Sequence, residues 1–145
     1  MRIPGPAIVF GVLAWAVLAA PAAAQQRCLH GDDEAASEAT RRREALTATR
    51  QINTLQANQP GAAAGRFLRH AELAGSPYAE RMRESASELI RQMSLDPEGE
   101  ILSHWKLTLA VAEGGYWFMI KDTADPCGFG YVSNQDGIIY TAEPI

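Results

Sequence analysis

The feature that most constrains the fold is a change in hydrophobic periodicity near Ile101. Before this point apolar residues recur at helical spacing, whereas in the stretch SHWKLTLAV, residues 103–111, they fall at every second position. A period of two places the apolar side chains on one face of a β-strand, because successive side chains of a strand point to opposite faces. The chain must therefore combine helices and a sheet, in that order along the sequence.

The dipeptide Gly114-Gly115 follows this strand and can supply the positive φ that a two-residue hairpin turn requires. With both glycines in the turn, Glu113 pairs with Tyr116, and the register continues along two antiparallel strands. The core-facing residues are then predicted to be Trp105, Leu107, Leu109, Val111, Phe118 and Ile120. The opposite face is predicted to carry Trp117, Met119, Lys106 and Thr108.

Two further strands are predicted in the C-terminal part of the chain. They cover residues 129–133 and 138–142, and the turn-forming residues NQDG at 134–137 join them. Composition does not decide whether this loop has three or four residues, so the face on which each side chain of these strands lies stays open. Together the four strands predict an antiparallel meander over residues 101–145.

The N-terminal half has the pattern of amphipathic helices. Residues 32–57 form one such pattern, with an apolar stripe that consists of Ala45, Ala48, Ile52 and Leu55. Pro60-Gly61 ends this helix, and a short helical turn is predicted within residues 66–75. Ser76-Pro77 then signals the start of a second helix reaching residue 93, whose predicted apolar side comprises Tyr78, Met82, Ala86, Leu89, Ile90 and Met93. We predict one α+β domain over residues 25–145, with helices (32–94) packed on a four-stranded antiparallel meander.

The first 24 residues have the three-part layout of a secretory signal peptide. Arg2 precedes an apolar run at residues 7–20, and Pro21 and three alanines follow the run. The run has 20 − 7 + 1 = 14 residues, fewer than the roughly 20 that a membrane-spanning helix needs. We predict cleavage after Ala24 and a periplasmic or secreted protein without a membrane span in its mature form. Retention of the segment as an anchor is the alternative.

The charge of the chain excludes one class of partner. Without Arg2, the 13 basic residues become 12 against 17 acidic ones, so the mature chain has a net charge of 12 − 17 = −5. The arginines are interleaved with acids, which is typical of a solvated helix face. A basic footprint for nucleic acid is therefore absent from the sequence, and we predict no nucleic-acid partner.

The two cysteines of the chain are Cys28 and Cys127. An even count in an exported protein favours a disulfide bond, because the compartment outside the cytoplasm is oxidising. We predict that the two cysteines pair and join the start of the mature chain to the sheet. Two free thiols are the alternative.

Two groups of residues offer metal-ligand atoms close together in sequence. His30 with Asp32 and Asp33 is one, and Asn134 with Asp136 is the other. The first follows a cysteine and directly precedes a predicted helix, where polar residues usually form a solvated cap, and the second lacks the series of acidic ligands of a calcium loop. We predict a solvated helix start and a hairpin turn at these places, and no metal or cofactor.

No residue pattern identifies a reaction. No serine lies in a nucleophile elbow, and the stretch GAAAG at 61–65 lacks the lysine and hydroxyl residue of a phosphate-binding loop. His104 is predicted to be an exposed residue on the polar face of the first strand rather than a general base. We therefore predict no catalytic residue, and a protein that is not an enzyme.

Two stretches resemble a known family. RQINTLQAN, residues 50–58, is similar to a stretch in the soluble half of the long helix of bacterial type IV pilins and pseudopilins. YVSNQDGIIY, residues 131–140, resembles the closing strand, turn and strand of their headgroups. The leader lacks the phenylalanine and glutamate of a pilin cleavage site, so the resemblance is to a soluble headgroup. It implies a helix lying on an antiparallel meander and a role in the bacterial envelope.

Two functional hypotheses follow. The first is a non-enzymatic, pilin-like interaction module that binds another envelope protein through the sheet face carrying Trp117, Met119, Lys106 and Thr108. The second is a small-molecule-binding or hydrolytic protein with a site between the helices and the sheet. A flat aromatic surface would favour the first hypothesis, and a deep pocket holding His104 beside a carboxylate would favour the second.

Overall fold

The computed structural model describes residues 27–143, and the predicted signal peptide lies outside this range. Four α-helices come first, and four strands follow, which confirms the α+β class. The helices are α1 (Ala36–Ala57), α2 (His70–Ala74), α3 (Pro77–Arg83) and α4 (Glu88–Gln92), with a 3₁₀ turn at Ala62–Ala64. The strands are β1 (Trp105–Ala112), β2 (Gly115–Asp122), β3 (Gly130–Asn134) and β4 (Ile139–Ala142). Within residues 27–143, no helix has both the length and the apolar character needed to cross a bilayer.

Helix α1 packs on the sheet with the apolar stripe that the sequence predicts. The four stripe residues are buried, and the two small ones, Ala45 and Ala48, are fully covered. The helix begins four residues later than predicted, at Ala36, with no side-chain cap. Near its end, the buried Gln56 side chain donates a hydrogen bond to the carbonyl oxygen of Leu68 and accepts one from the Leu68 N–H. This pair ties the loop after α1 back onto the helix.

The predicted second amphipathic helix is interrupted in the structure. It begins as expected, with Pro77 in the first position and the Ser76 hydroxyl accepting a hydrogen bond from the Ala79 N–H. It ends at Arg83, and α4 starts only at Glu88. The Ser85 hydroxyl accepts a hydrogen bond from the Ser87 N–H, so a local side-chain turn replaces the helical hydrogen bonds. The prediction of one continuous helix was therefore wrong, and Ala86, predicted on its apolar side, is exposed.

The sheet is an antiparallel meander in the order β1-β2-β3-β4, as predicted. The first hairpin turn consists of Glu113 and Gly114 rather than Gly114 and Gly115, and Gly114 alone has a positive φ, of 79°. Val111 therefore pairs with Tyr116, and the predicted pairing of Glu113 with Tyr116 was wrong. When a two-residue turn moves by one position, the cross-strand partner of every residue changes by two positions. Residues two apart in a strand lie on the same face, so each side chain keeps its face. The face assignment of β1 and β2 is confirmed despite the wrong register.

The start of β1 also differs from the prediction. Ser103 and His104 form a turn, and the strand begins at Trp105. His104 has a φ of 65°, and the Trp105 N–H donates to the carbonyl oxygen of Leu102 to close the turn. His104 is exposed, as predicted, but it belongs to this turn and not to the strand.

The pairing of β3 and β4 settles the faces that the sequence left open. Ser133 pairs with Ile139, so five residues, 134–138, connect the paired positions, and Asn134 belongs to β3 through its pairing with Trp117 of β2. Tyr131 pairs with Ile120 and lies on the core side, whereas Val132 and Tyr140 pair with each other on the opposite side. Asn134 and Asp136 hydrogen bond to each other in the loop, which confirms the predicted hairpin turn.

A disulfide bond joins Cys28 to Cys127, with the two Cα atoms 5.3 Å apart. It ties the segment before α1 to the loop between β2 and β3, as predicted. In the segments that the bond joins, His30 contacts Asp125, and Arg41 of α1 contacts Asp122 at the end of β2. The predicted neighbours of His30, Asp32 and Asp33, are exposed and do not share its contact.

Candidate functional site

One face of the sheet is open to solvent in the part of the chain that the structure describes. We call it the outer face; the inner face packs against α1 and the other helices. In an antiparallel pair, directly opposed residues lie on the same face, so the register defines both faces. The outer face consists of Lys106, Thr108, Ala110, Trp117, Met119, Lys121, Val132, Asn134, Tyr140 and Ala142.

Large apolar side chains are exposed on this face. Trp117 is 49% exposed and Tyr140 is 57% exposed. Met119 and Val132, which pair across β2 and β3 between these two aromatic residues, are half-buried. Aromatic and thioether side chains that form a contiguous exposed patch are typical of protein interaction sites.

The four residues predicted to bind a partner all lie on the outer face. Thr108 is directly opposite Met119, and Trp117 is opposite Ala110 in the next row. Lys106 lies at the far end of the same face. The structure therefore brings the predicted residues together, while partner binding itself stays a prediction.

Sequence reasoning missed several outer-face residues, of which Tyr140 and Lys121 matter most for the site. Tyr140 could not be placed because the length of the loop before β4 was undecided. Lys121 is directly opposite Lys106, and the predicted register, displaced by two residues, did not pair them. These are the only two lysines of the chain. In residues 27–143 neither of them takes part in an ion pair within 4.0 Å, since every such pair there involves an arginine or a histidine.

A shallow groove of about 320 Å³ lies beside Trp117, where the outer face meets the first hairpin. Its lining is mainly apolar and consists of Ala110, Val111, Ala112, Gly115, Tyr116, Trp117, Asn134 and Gln135. A Cβ atom at Gly115 would lie 3.0 Å from the Gln135 side-chain oxygen, so a larger residue there would displace the exposed Gln135 side chain. The groove gives the outer face a recess next to the exposed Trp117 side chain.

The inner face is occupied by the core. Trp105 is 1% exposed and stacks on Tyr131, with ring centroids 6.2 Å apart. The Arg41 guanidinium lies 5.8 Å from the centre of the Trp105 ring, which adds a cation–π contact. Phe118 and Ile120 are fully covered. His104, the residue proposed for a hydrolytic site, lies outside this layer, and its backbone N–H rather than its ring contacts Glu100.

The charged residues near the disulfide bond have structural partners. Burial raises the pKa of Asp125, but hydrogen bonds from His30 and from the N–H groups of Cys127 and Leu29 outweigh this, so the pKa lies below the ordinary value. Asp125 and the two cysteine sulfur atoms lie within 4.8 Å of one another, a spacing that could suit a metal ion. Both sulfur atoms are committed to the disulfide bond, so this cluster fastens the N-terminal segment instead.

A second cavity, of about 610 Å³, lies between α3, α4 and the loop that follows. The buried Met82 and Met93 form its floor. The charged residues at its rim are Arg83, Arg91 and Asp96. Nearby, burial lowers the pKa of His70, and the Asp96 carboxylate only partly offsets this effect. Arg91 is paired with Glu88 and Asp96 is acidic, so Arg83 is the rim side chain that would attract a small anionic molecule.

Comparison of the chain with protein-family models, curated proteins and solved structures finds no match.

Proposed function

We propose that this protein is an exported, non-enzymatic interaction module of the bacterial envelope, which binds another envelope protein through the outer face. The observation that carries the proposal is the exposure of Trp117, at 49%, on a sheet face that the described helices leave uncovered. A single exposed apolar residue is common, but a tryptophan beside Met119, Val132 and Tyr140 forms a contiguous patch. Tryptophan and tyrosine are also the residues that most often anchor protein interfaces.

The polar groups of the domain support binding rather than catalysis. His30 and Asp125 contact each other beside the disulfide bond, and Asp122 contacts Arg41. His104 is exposed in a turn. A catalytic constellation needs such groups to converge on a space for the substrate, whereas these groups bind each other or face solvent.

Export and the pilin resemblance belong to the same proposal. The disulfide bond is compatible with an extracytoplasmic protein, because such bonds persist in oxidising compartments. An N-terminal helix lying on an antiparallel meander is the arrangement that the resemblance to pilin headgroups implies. We propose that the chain is cleaved after Ala24 and acts as a soluble pilin-like headgroup.

The test replaces one tryptophan on each face. Trp117→Ala should abolish capture of the partner from the protein's own envelope fraction while leaving the thermal midpoint nearly unchanged, because the side chain is half exposed. Trp105→Ala should lower stability by about 3 to 5 kcal/mol, as expected for a buried tryptophan. The captured protein is identified by mass spectrometry, purified, and titrated against each variant.

Arg43→Ala is the matched control, because Arg43 is exposed on α1, away from the outer face. It should bind the purified partner as the wild type does. If Trp117→Ala keeps full affinity, or destabilises the domain as strongly as Trp105→Ala, the outer face is not the binding site.

The second cavity supports a second candidate function, the binding of a small anionic molecule. The observations in favour are the methionine floor and Arg83 at the rim, which forms no ion pair within 4.0 Å among residues 27–143. Arg83→Gln would then abolish binding of the molecule without affecting partner capture. This candidate is preferred if a small molecule co-purifies with the wild type and is absent from Arg83→Gln.

A further inference from the structure

We propose that the outer face recognises an acidic segment of a protein partner, with Lys106 and Lys121 binding its carboxylates and Trp117 and Met119 receiving an adjacent apolar side chain. The inference rests on the proposed function and adds the chemistry of the partner. It starts from the placement of the two lysines.

Lys106 and Lys121 are directly opposed across β1 and β2. Side chains in this position have Cβ atoms about 5 Å apart, and like charges there destabilise a sheet. Along the outer face of β1 and β2 the next residues are Thr108 and Met119, neither of which is acidic. On the β4 side, Glu143 lines a groove with Lys121 but forms no ion pair with it within 4.0 Å. The like-charge pair is unfavourable for the sheet, and a bound anion would relieve it.

The apolar patch begins one row away from the lysine pair. Lys121, Met119 and Trp117 alternate along β2 and share the outer face. At about 3.4 Å per residue, roughly 14 Å separate the backbone positions of Lys121 and Trp117. An extended segment of about five residues spans this distance, so one short peptide could place carboxylates on the lysines and an apolar side chain beside Trp117.

Charge complementarity favours an acidic peptide over the other anionic partners. The predicted mature chain has a net charge of −5, so an acidic partner is repelled by most of the molecule and attracted at the lysine pair, which fixes its orientation. Binding to anionic lipid typically uses clusters of about four to eight basic residues, whereas the outer face carries two. The same shortage of basic residues argues against nucleic acid.

The experiment uses two synthetic peptides, each labelled with fluorescein and blocked at both ends. The acidic peptide has the sequence Leu-Phe-Leu-Asp-Glu, and the neutral peptide has Leu-Phe-Leu-Asn-Gln. Fluorescence anisotropy measures the affinity of the disulfide-bonded mature domain for each. The acidic peptide should bind more tightly, and its binding should weaken as ionic strength rises, because exposed charges are screened by salt.

The lysine variants separate charge from shape. Lys106→Gln and Lys121→Gln should each weaken binding of the acidic peptide about three- to fivefold, the usual range for an exposed ion pair. Lys121→Arg should keep the affinity. Lys121→Glu is the most informative variant, because it should raise the thermal midpoint by creating an opposite-charge pair with Lys106 while abolishing peptide binding. A purely structural role of Lys121 would not give gain of stability together with loss of binding.

The outcomes distinguish this inference from the proposed function. Recognition of an acidic segment is refuted by any of three results: equal binding of both peptides, unchanged affinity in the lysine variants, or no binding of either peptide. If Trp117→Ala still loses the envelope partner in those cases, the outer face remains the interaction site. Sedimentation with phosphatidylglycerol vesicles, lost in Lys121→Gln, overturns the inference in favour of a membrane surface.

Discussion

Removal of the disulfide bond should destabilise the domain more than any single surface substitution. Cys28 and Cys127 are 99 residues apart, so the bond closes most of residues 27–143 into one loop. In the chain-entropy model, a cross-link across about 100 residues removes unfolded-state entropy worth about 4.7 kcal/mol at 25 °C. Measured losses for native disulfides of small secreted domains are about 2 to 5 kcal/mol, and we expect the double variant Cys28→Ser/Cys127→Ser to lie in this range.

The assay is urea unfolding of the oxidised wild type and the double serine variant, followed by tryptophan fluorescence. Both cysteines are replaced, because a single variant leaves a free thiol that can form intermolecular bonds. At about 4 °C per kcal/mol for a domain of this size, the thermal midpoint should fall by about 8 to 20 °C. The wild type measured in reducing agent should match the variant.

One result would refute the reasoning. Suppose that the free energy of unfolding of the serine variant is less than about 1 kcal/mol below that of the wild type. The cross-link then does not act mainly by restricting the unfolded chain, and noncovalent contacts hold the N-terminal segment in place. The contacts concerned are those of His30 and the Leu29 N–H with Asp125. His30→Ala in the serine background would then cause a second, larger loss.

The other three predictions concern pH and backbone strain. The pKa of Asp125 is lowered by folding, so its contribution to stability is complete above the unfolded-state pKa of about 3.9. This contribution is lost as the pH falls through the lower, folded-state pKa. Asp125→Asn should therefore reduce the pH dependence of the free energy of unfolding measured between pH 2 and 5. The pKa of His70 is also lowered, so the unfolded state binds a proton more readily and the folded state loses stability as the pH falls below about 6.5. His70→Leu should remove this pH dependence of the free energy of unfolding. His104→Gly should stabilise the domain by about 0.5 to 1 kcal/mol, because relief of the positive φ of 65° exceeds the entropy cost of a glycine. If the variant has the same thermal midpoint as the wild type, or a lower one, the backbone of His104 is not strained.

The faces of the sheet could be predicted because they depend on parity. The turn of the first hairpin was misplaced by one residue, and Val111 and Leu109 have different partners from those expected. Alternation nevertheless kept Trp105 in the core and Trp117 in solvent. A local error in a turn leaves the faces intact, and for this reason the candidate surface was found before its register was known.

The missed features depend on contacts between distant parts of the chain. Asp125 meets His30 from 95 residues away, and Asp122 meets Arg41 from 81 residues away. Nothing in the local sequence around these residues identifies the partner. The break between α3 and α4 had a local signal in Ser85 and Ser87, but the apolar spacing on either side of it favoured a continuous helix.

The lysine pair also decides how the protein can be attached to a surface. Lys106 and Lys121 carry the only side-chain primary amines of the chain, and both lie on the outer face. Reagents that acylate amines will therefore modify this face, together with the terminal α-amino group. A biosensor chip or resin coupled through amines would hold many molecules with the outer face against the support, and the proposed partner would find it blocked. Coupling through a C-terminal tag keeps both amines free and leaves this face turned to solution.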